Sequence, residues 1–349
     1  MESPLVTIAL ITYNQERYVR KAVRGVLSQT YRNLRIVISD DASSDGTVAA
    51  IRDEVALYKN NGGEHLDIVI NVNSQNLGIT GNWNEVVRLA RGDLLVAAAG
   101  DDICVPERVS TIVKAWLSSG SRATIIHHGY YAMEVDGSCI VPQEARSVWA
   151  PYGASAAYVT RVFSEFPPLP PDVTVEDIPW ALRAYMLGEE LRIPDCLVYC
   201  RQGSGVSTRF KNMRQGRIVL GQFDYTAYSL LEKDLDAKGS AIEPGKLREI
   251  RGFVHGRKER AWYDLQLVSG RTFHDRLSAL RWLSGTAKEF KRKRDFLRRG
   301  ALYLLPTVMH DGVNDIVDAI AAFRRGLIRG LKALKTIITC SCCRRSATR

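Results

Sequence analysis

An acidic pair, Asp101-Asp102, follows an apolar run of six residues, Leu94–Ala99, with Gly100 between them. An unbroken run of small and branched apolar residues is typical of a strand buried on both faces of an α/β sheet. Ligands of such sheets bind at the carboxyl ends of the strands. Two adjacent carboxylates there repel each other, and a divalent cation stabilises them. The pair therefore predicts a cation site, although an isolated pair would more often cap a helix beginning near Pro106.

An aromatic residue and two polar residues close the first predicted strand, Leu5–Thr12. Thr12 is the last residue of this strand, and Tyr13 and Asn14 follow it. An aromatic ring at the carboxyl end of a strand can stack on a base or a sugar. It can equally be a core ring that is followed by a turn asparagine. Taken alone, these residues support both interpretations.

A second acidic pair, Asp40-Asp41, follows the strand Leu34–Ser39 and begins the run DDASSDG. Asp, Ser and Gly after a strand commonly form turns and helix caps, so Ser44 or Asp45 can simply cap the next helix. A carboxylate beside the first strand can instead accept the ring N–H of a pyrimidine and a ribose hydroxyl. In that second interpretation the two strand ends form a clamp for a nucleoside.

Two further segments contain residues suited to anion binding and proton transfer. The loop from Asn76 to Asn84 contains Gly78 and a second glycine, which let the backbone approach a phosphate at the start of a helix. Its spacing matches neither the Rossmann nor the Walker pattern. Glu176-Asp177 open a later helix, where acids most often complement the helix dipole. A carboxylate fixed there can also act as a general base on a hydroxyl.

Strands and helices alternate through the first half of the chain, which predicts a parallel sheet with right-handed crossovers. From about residue 123 the pattern becomes mixed, with two short strands joined by His128-Gly129 and a proline-rich loop from Phe166 to Pro171. Beyond about Met213 the sequence predicts only helices. The expected strands are Leu5–Thr12, Leu34–Ser39, Ile68–Val72, Leu94–Ala99, Ala123–His127, Tyr130–Val135 and Cys196–Arg201, and the expected helices are Tyr18–Leu27, Thr47–Tyr58, Asn82–Ala90 and Ile178–Leu187.

The 349-residue chain has a net charge of +10, and the positive charge is concentrated towards its C-terminus. Residues 246–349 hold 24 Lys and Arg against 9 Asp and Glu, whereas residues 1–245 hold 24 against 29. This imbalance favours an anionic partner for the C-terminal part. The seven cysteines show no disulfide-like pattern, and we expect neither a signal peptide nor a transmembrane helix. These features favour a reduced, cytosolic protein.

The motifs follow one another in an order and spacing that resemble the family 2 glycosyltransferases of the GT-A fold. The resemblance runs from about Pro4 to Thr208 and is carried by ITYNQERYVRKAVRGVLSQTY, VISDDASSDGT, NLGITGNWN, ARGDLLVAAAGDD, VEDIPWALRAYMLG and VYCRQGSGVST. It implies an α/β catalytic domain over residues 1–210, with a Rossmann-like mixed sheet flanked by helices. A basic helical region would then occupy residues 211–349.

The resemblance also implies roles for the candidate residues. Asp177 would deprotonate the acceptor hydroxyl, and Asp102 would hold a divalent cation, Mn²⁺ or Mg²⁺, that bridges the donor diphosphate. Tyr13 would stack on the uracil, while Arg201 would lie in the segment that closes over the diphosphate. The full set that the resemblance assigns to the donor is Thr12, Tyr13, Asn14, Asp40 and Asp41 at the nucleoside, Asn76, Gly78 and Asn84 in the loop, Asp101 at the ribose, and Arg201.

These roles predict inverting transfer of a single sugar from a nucleotide-sugar donor, with UDP as the expected nucleotide. The acceptor would be a glycan or lipid-linked hydroxyl in the synthesis of a cell-surface polysaccharide such as lipopolysaccharide or capsule. The sequence departs from the family pattern at Gly100, where a third acid is often found, and at Trp83, where an arginine is usual. One alternative is a sugar-phosphate nucleotidyltransferase, although Tyr13–Arg20 lacks the basic, Gly-rich loop that a triphosphate needs. The other is a catalytically silent relative that binds a partner through its basic helices.

The C-terminal region combines a cationic run at residues 291–299 with an apolar helical face from Val313 to Leu334. Such a basic amphipathic helix can lie on an anionic membrane, or it can pack on the catalytic domain with a solvated basic face. We therefore expect a cytoplasmic protein that is free or peripheral on the inner face of the cytoplasmic membrane. Nucleic acid is not an expected partner, because no recognised binding module accompanies the charge. The cysteines from Cys340 to Cys343 could be acylated or bind metal, although a disordered tail is the default expectation.

Overall fold

A computed structural model describes residues 3–63, 66–138, 140–203 and 213–269. Its strands are β1 (Val6–Thr12), β2 (Leu34–Asp40), β3 (Asp67–Val72), β4 (Leu94–Ala99), β5 (Ile103–Cys104), β6 (Ala123–Met133), β7 (Val141–Gln143), β8 (Ala156–Val159) and β9 (Glu189–Arg201). Its α-helices are α1 (Glu16–Leu27), α2 (Thr47–Asn60), α3 (Gly78–Leu89), α4 (Arg108–Ser118), α5 (Arg161–Glu165), α6 (Asp177–Leu187), α7 (Met213–Lys238) and α8 (Pro244–Ser269). A short 3₁₀ turn, Gly153–Ser155, precedes β8.

Within the described residues, nine strands form one mixed sheet. Its order is β3-β2-β1-β4-β8-β6-β9-β5, and β7 pairs with β6. The first four strands run parallel, β8 is antiparallel to both β4 and β6, and β9 is parallel to β6. The predicted α/β architecture is confirmed. It brings the carboxyl ends of β1, β2 and β4 to one edge of the sheet.

Helices cover both faces of the sheet. Along β1, Ile8 and Leu10 pack in a cluster with α1, α2 and α4, whereas Ala9 packs in a second cluster with α3, α6, α7 and α8. All three side chains are completely buried, and their alternation follows the period of a strand. Because both faces are covered, β1 and β4 need apolar residues at nearly every position.

The prediction of two short strands joined by His128-Gly129 is wrong. Both belong to β6, whose pairing with β9 shifts register on either side of Gly129. The His128 ring is buried and accepts a 3.0 Å hydrogen bond from the Arg108 guanidinium, which lets a polar residue stay inside the strand. A Cβ at Gly129 would lie 2.7 Å from a backbone carbonyl oxygen of β9, so the residue permits close approach of two strands.

Two elements begin four or more residues earlier than the sequence predicts. Helix α3 begins at Gly78 rather than Asn82, and the side-chain oxygen of Asn76 accepts the N–H of Gly78 at its start. Strand β9 begins at Glu189 rather than Cys196, because its first residues pair with β6. In both cases the element is extended by residues outside the predicted segment, Asn76 for α3 and strand β6 for β9. The local apolar pattern does not reveal these contacts.

The chain divides into two compact units. The first is Met1–Thr208 with Phe223–Lys258, and it contains the sheet and most of α7 and α8. The second is Arg209–Gln222 with Glu259–Arg349, of which the structure describes residues 213–222 and 259–269. Because Phe223–Lys258 clusters with the first unit, the division into units does not test the predicted domain boundary near residue 210. That boundary stays a prediction. None of the helices that the structure describes is both long enough and apolar enough to cross a bilayer.

The predicted amphipathic helix, the cationic run at residues 291–299 and the cysteine tail all lie outside the described residues.

Candidate functional site

The ends of β1 and β2 lie side by side, because Thr12 is in register with Asp40. Thr12 Oγ1 donates a 2.8 Å hydrogen bond to the Asp40 carboxylate. Asp40 is completely buried, and it also accepts the backbone N–H and the hydroxyl of Ser43. This carboxylate therefore stabilises the turn that follows β2. Its predicted place beside a nucleoside stays a prediction.

Asp41 connects the same turn to the loop before α3. One of its oxygens accepts the backbone N–H of Leu77 at 2.8 Å and the Asn73 amide at 3.0 Å. Its own N–H donates to the carbonyl oxygen of Thr12. The predicted base-binding acid is thus rigidly held between the end of β1 and the loop that contains Asn76 and Gly78.

Tyr13 is accessible to a ligand, whereas the side chain of Asn14 is hydrogen-bonded within a turn. The Tyr13 side chain is 40% exposed, so its ring is accessible for stacking. Asn14 has a φ of +50°, a region that asparagine tolerates better than most residues, and its side chain accepts the N–H of Ser44 at 2.9 Å. In this structure Asn14 stabilises a turn between the two strand ends.

Asp102 is 6% exposed and follows β4. Its Oδ1 accepts the backbone N–H of Arg201 at 2.8 Å. Burial, and then the negative charge of the half-buried Asp101, raise the pKa of Asp102 from 3.8 to about 8. A cation bound beside the pair would favour the ionised form and lower this pKa.

The donor set at this pair suits a hard divalent cation. Two adjacent carboxylates supply the oxygen ligands that Mg²⁺ and Mn²⁺ prefer. Among the described residues, no group of three or more His, Cys, Asp or Glu could hold a metal ion. Asp101 and Asp102 therefore fit a cation that takes its remaining ligands from a bound diphosphate and water.

The missing third acid has a steric explanation. A Cβ on Gly100 would lie 2.7 Å from the Thr12 methyl group and closer still to the Gln15 side-chain amide. An aspartate at this position would force both residues to move. The departure from the family pattern at Gly100 is therefore accompanied by local packing in which the side chains of Thr12 and Gln15 would have to shift to admit a Cβ.

Arg201 lies at the end of β9 and holds the segment around the acidic pair. Its guanidinium donates to the carbonyl oxygens of Asp101 and Val135 and lies 4.4 Å from the centre of the Tyr18 ring. The side chain is buried. Arg201 thus contacts the backbone of the candidate cation site, and the predicted contact with a diphosphate stays a prediction.

The second acidic centre is Glu176-Asp177 at the start of α6. Asp177 accepts the N–H of Ile178 at 2.8 Å and the N–H of Gly153. Burial raises the pKa of Asp177 from 3.8 to about 6, and burial together with the Asp177 charge raises that of Glu176 from 4.5 to about 8. The two carboxyls titrate as a pair, and a base poised near neutral pH suits deprotonation of a hydroxyl.

The segment Tyr152-Gly153, which no sequence motif includes, connects the two acidic centres. Gly153 donates to Asp177, while the Tyr152 ring stacks on Tyr130 with centroids 4.9 Å apart. Burial, followed by the charges near it, including Asp102, raises the pKa of Tyr152. The Tyr152 hydroxyl makes no hydrogen bond within the part of the chain that the structure describes. No motif marked this tyrosine, because its neighbours are brought together only by the fold.

Asn84 bonds to the backbone of Leu169, and its predicted place at the donor stays a prediction. Its amide donates to the carbonyl oxygen of Leu169 at 2.9 Å and its side-chain oxygen accepts the Leu169 N–H at 3.2 Å. Both ends of the side chain thus anchor the proline-rich loop that precedes Glu176-Asp177.

Solved structures with this architecture are GT-A glycosyltransferases. The mannosyltransferase PcManGT from Pyrobaculum calidifontis, solved with GDP-Man and Mn²⁺, is 17% identical with a TM-score of 0.56, over 90% of this chain and 87% of that chain. S. aureus TarS 1-349, solved with UDP-GlcNAc, is 14% identical with a TM-score of 0.56, over 92% of each chain. These likenesses establish the GT-A fold.

A model of the family described as glycosyl transferase family 2 matches residues 7–138 of this chain. The putative glycosyltransferase EpsE of Bacillus subtilis is 28% identical over 142 residues, or 40% of this chain and 49% of EpsE. An uncharacterized protein of Mycobacterium tuberculosis is 28% identical over 312 residues, or 82% of this chain and 87% of that protein. The chain thus matches about half the length of EpsE. The comparisons support sugar transfer in general as the class of activity.

Proposed function

We propose that this chain transfers a single sugar from a nucleotide-sugar donor to a hydroxyl of a glycan or lipid-linked acceptor, with inversion at the anomeric carbon. The observation that carries the proposal is the pairing of two acidic centres through Tyr152-Gly153. The Asp101-Asp102 centre suits a cation and a diphosphate, whereas the Asp177 centre suits a general base. One base without an enzyme nucleophile corresponds to direct displacement, and direct displacement inverts the anomeric centre.

The candidate residues take separate roles in the proposed transfer reaction. When bound at Asp102, Mn²⁺ or Mg²⁺ would neutralise the charge that develops on the leaving diphosphate. Tyr13 stacks on the base, Asp41 and Asp101 contact the nucleoside, and Asp177 takes the proton from the acceptor hydroxyl. Positioning of donor and acceptor between the two centres would supply most of the acceleration.

UDP is the nucleotide that we propose, and GDP is the main rival. Of the two structural neighbours above, one was solved with UDP-GlcNAc and the other with GDP-Man. The proposed setting is the cytoplasm, free or peripheral on the inner face of the cytoplasmic membrane, in synthesis of a cell-surface polysaccharide such as lipopolysaccharide or capsule. The basic C-terminal residues would contribute any contact with an anionic membrane.

A thermal-shift panel tests the donor site. UDP, GDP, CDP and dTDP are each added with Mn²⁺ or with EDTA to the wild type and to Asp102→Ala. The proposal expects stabilisation by UDP that requires both Mn²⁺ and Asp102. Stabilisation by another nucleotide would keep the class of activity and change the donor. Stabilisation by none of them would favour a catalytically silent relative.

A further inference from the structure

Arg257 on α8 is a half-buried cation whose only hydrogen bond among the described residues goes to a neutral group. Its Nε donates to the Tyr228 hydroxyl at 3.1 Å. The guanidinium carbon lies 5.7 Å from the centre of the Tyr228 ring and 5.6 Å from that of Phe253. No described carboxylate forms an ion pair with it. Its terminal nitrogens are therefore available to an anion.

The buried Arg183, in the same compact unit, is by contrast an arginine whose charge is paired with a carboxylate. Arg183 makes a two-pronged ion pair with Asp234 and also donates to the carbonyl oxygen of Pro167. Burying a guanidinium without such a partner costs free energy. Arg257 instead is held in place by the hydroxyl and ring of Tyr228 and by the ring of Phe253, which orient its planar fork. The negative charge of Asp224 acts on Arg257 without forming an ion pair.

Tyr228 places this cation close to the candidate base. The ion pair between Arg183 and Asp234 joins α6 to α7. Arg183 lies six residues after Asp177 on α6, and Asp234 lies six residues after Tyr228 on α7. Six residues span about 9 Å along a helix, so Asp177 and Tyr228 lie equally far from this pair along their own helices. Burial raises the pKa of the Tyr228 phenol, and the negative charges of Asp224 and then Asp177 raise it further, so Asp177 acts on this residue.

We propose that Arg257 binds an anionic group, a phosphate or a carboxylate, on the acceptor whose hydroxyl Asp177 deprotonates. This inference rests on the proposed function and narrows its acceptor to a negatively charged one. A guanidinium matches both anions through two parallel hydrogen bonds. The donor diphosphate would bind elsewhere, through a divalent cation held at Asp101-Asp102 after β4, whereas Arg257 belongs to α8 and contacts α7.

Three hexoses that differ in charge provide the test. Glucose 6-phosphate, glucuronic acid and glucose are titrated calorimetrically into the full chain saturated with UDP and Mn²⁺. The wild type is expected to bind one of the charged hexoses about tenfold more tightly than glucose, which corresponds to one charge-assisted contact. Which charged hexose is preferred distinguishes a phosphate from a carboxylate.

Two variants show whether Arg257 causes the preference. Arg257→Gln should bind all three hexoses alike, and Arg257→Lys should keep part of the preference. The matched control is Arg251→Gln, an exposed arginine on the same helix that pairs with Asp236. Thermal melting of each variant confirms that it is folded.

Two results would overturn the inference: no preference for charge in the wild type, or an equal loss of preference in Arg251→Gln. Failure of the proposed function would show earlier, as the absence of any binding of UDP with Mn²⁺ to the wild type.

Discussion

The backbone N–H of Arg201 donates a 2.8 Å hydrogen bond to the carboxylate of Asp102, 99 residues earlier in the chain. The bond joins the end of β9 to the residue pair that follows β4. The Arg201 guanidinium then bonds to the carbonyl oxygen of Asp101, so the same residue holds both members of the pair. The position of the candidate cation ligand thus depends on the last residue of β9.

Replacing the Arg201 side chain should loosen this attachment. Arg201→Ala removes the bonds to Asp101 and Val135 and the contact with the Tyr18 ring. We expect a loss of about 2–3 kcal/mol in the free energy of unfolding and a roughly tenfold weaker affinity for UDP with Mn²⁺. Chemical denaturation and calorimetry measure the two effects. Arg192→Ala, at an exposed position on the same strand, should change neither. Unchanged nucleotide affinity in Arg201→Ala would separate this residue from the site.

The raised pKa of Glu176 should make stability depend on pH. Burial holds the pKa of Glu176 at about 8 in the folded chain, against an ordinary value of 4.5. Between these values the folded chain retains a proton that the unfolded chain has lost, so stability should fall as pH rises from about 4.5 to 8. Thermal melting without a divalent cation, between pH 5 and 9, measures this fall.

Glu176→Gln carries no titrating proton at this position, so its melting temperature should fall less over the same range. Asp172→Asn, at an exposed position in the preceding loop, is the control and should follow the wild type. A slope in Glu176→Gln equal to that of the wild type would show that this carboxyl has no raised pKa.

Gly100 offers a test of the packing that excludes a third acid. Gly100→Ala places a Cβ against Thr12 and Gln15, and we expect a loss of about 1–3 kcal/mol in the free energy of unfolding. Gly252→Ala is the matched control, because a Cβ on this glycine of α8 would meet no atom within 4 Å. That control should gain about 0.5–1 kcal/mol from helix propensity. Equal effects in the two variants would contradict the steric explanation.

Tyr152 is expected to contact the bound donor through its hydroxyl. Tyr152→Phe keeps the stack on Tyr130 and removes only the hydroxyl that has no partner among the described residues. We expect weaker binding of the nucleotide sugar, by about five- to tenfold, with little change for UDP alone. Calorimetric titrations of both ligands measure the difference. Equal affinities of wild type and variant for the nucleotide sugar would exclude this contact.

The local sequence pattern predicted best where burial alone determines the structure. Strand β4 was predicted with both ends correct, because an unbroken apolar run is the direct result of a strand covered on both faces. The acidic pairs after β2 and β4 could be placed at the sheet edge for the same reason. Their detailed partners could not be predicted, because the bond from Arg201 to Asp102 spans 99 residues.

Non-local contacts also explain the errors. A polar residue inside β6 appeared to break the strand, but His128 is satisfied by Arg108 from α4. The side chain of Asn84 bonds to both the carbonyl oxygen and the N–H of Leu169, 85 residues away, while its predicted place at the donor stays a prediction. Neither partner can be identified from spacing along the chain. Tyr152 likewise becomes a candidate only once the fold places it between two acidic centres.

Donor turnover by the wild type and by Asp177→Asn is the most direct test of the proposed sugar transfer. Release of UDP or GDP is measured from UDP-GlcNAc, UDP-glucose, UDP-galactose and GDP-mannose with Mn²⁺, alongside the nucleotide affinity of both proteins. We expect turnover of at least one donor by the wild type. Asp177→Asn should lose about 10²- to 10⁴-fold in rate with an unchanged nucleotide affinity. Full turnover by Asp177→Asn would contradict its role as the base, and no turnover of any donor by the wild type would contradict the proposed function.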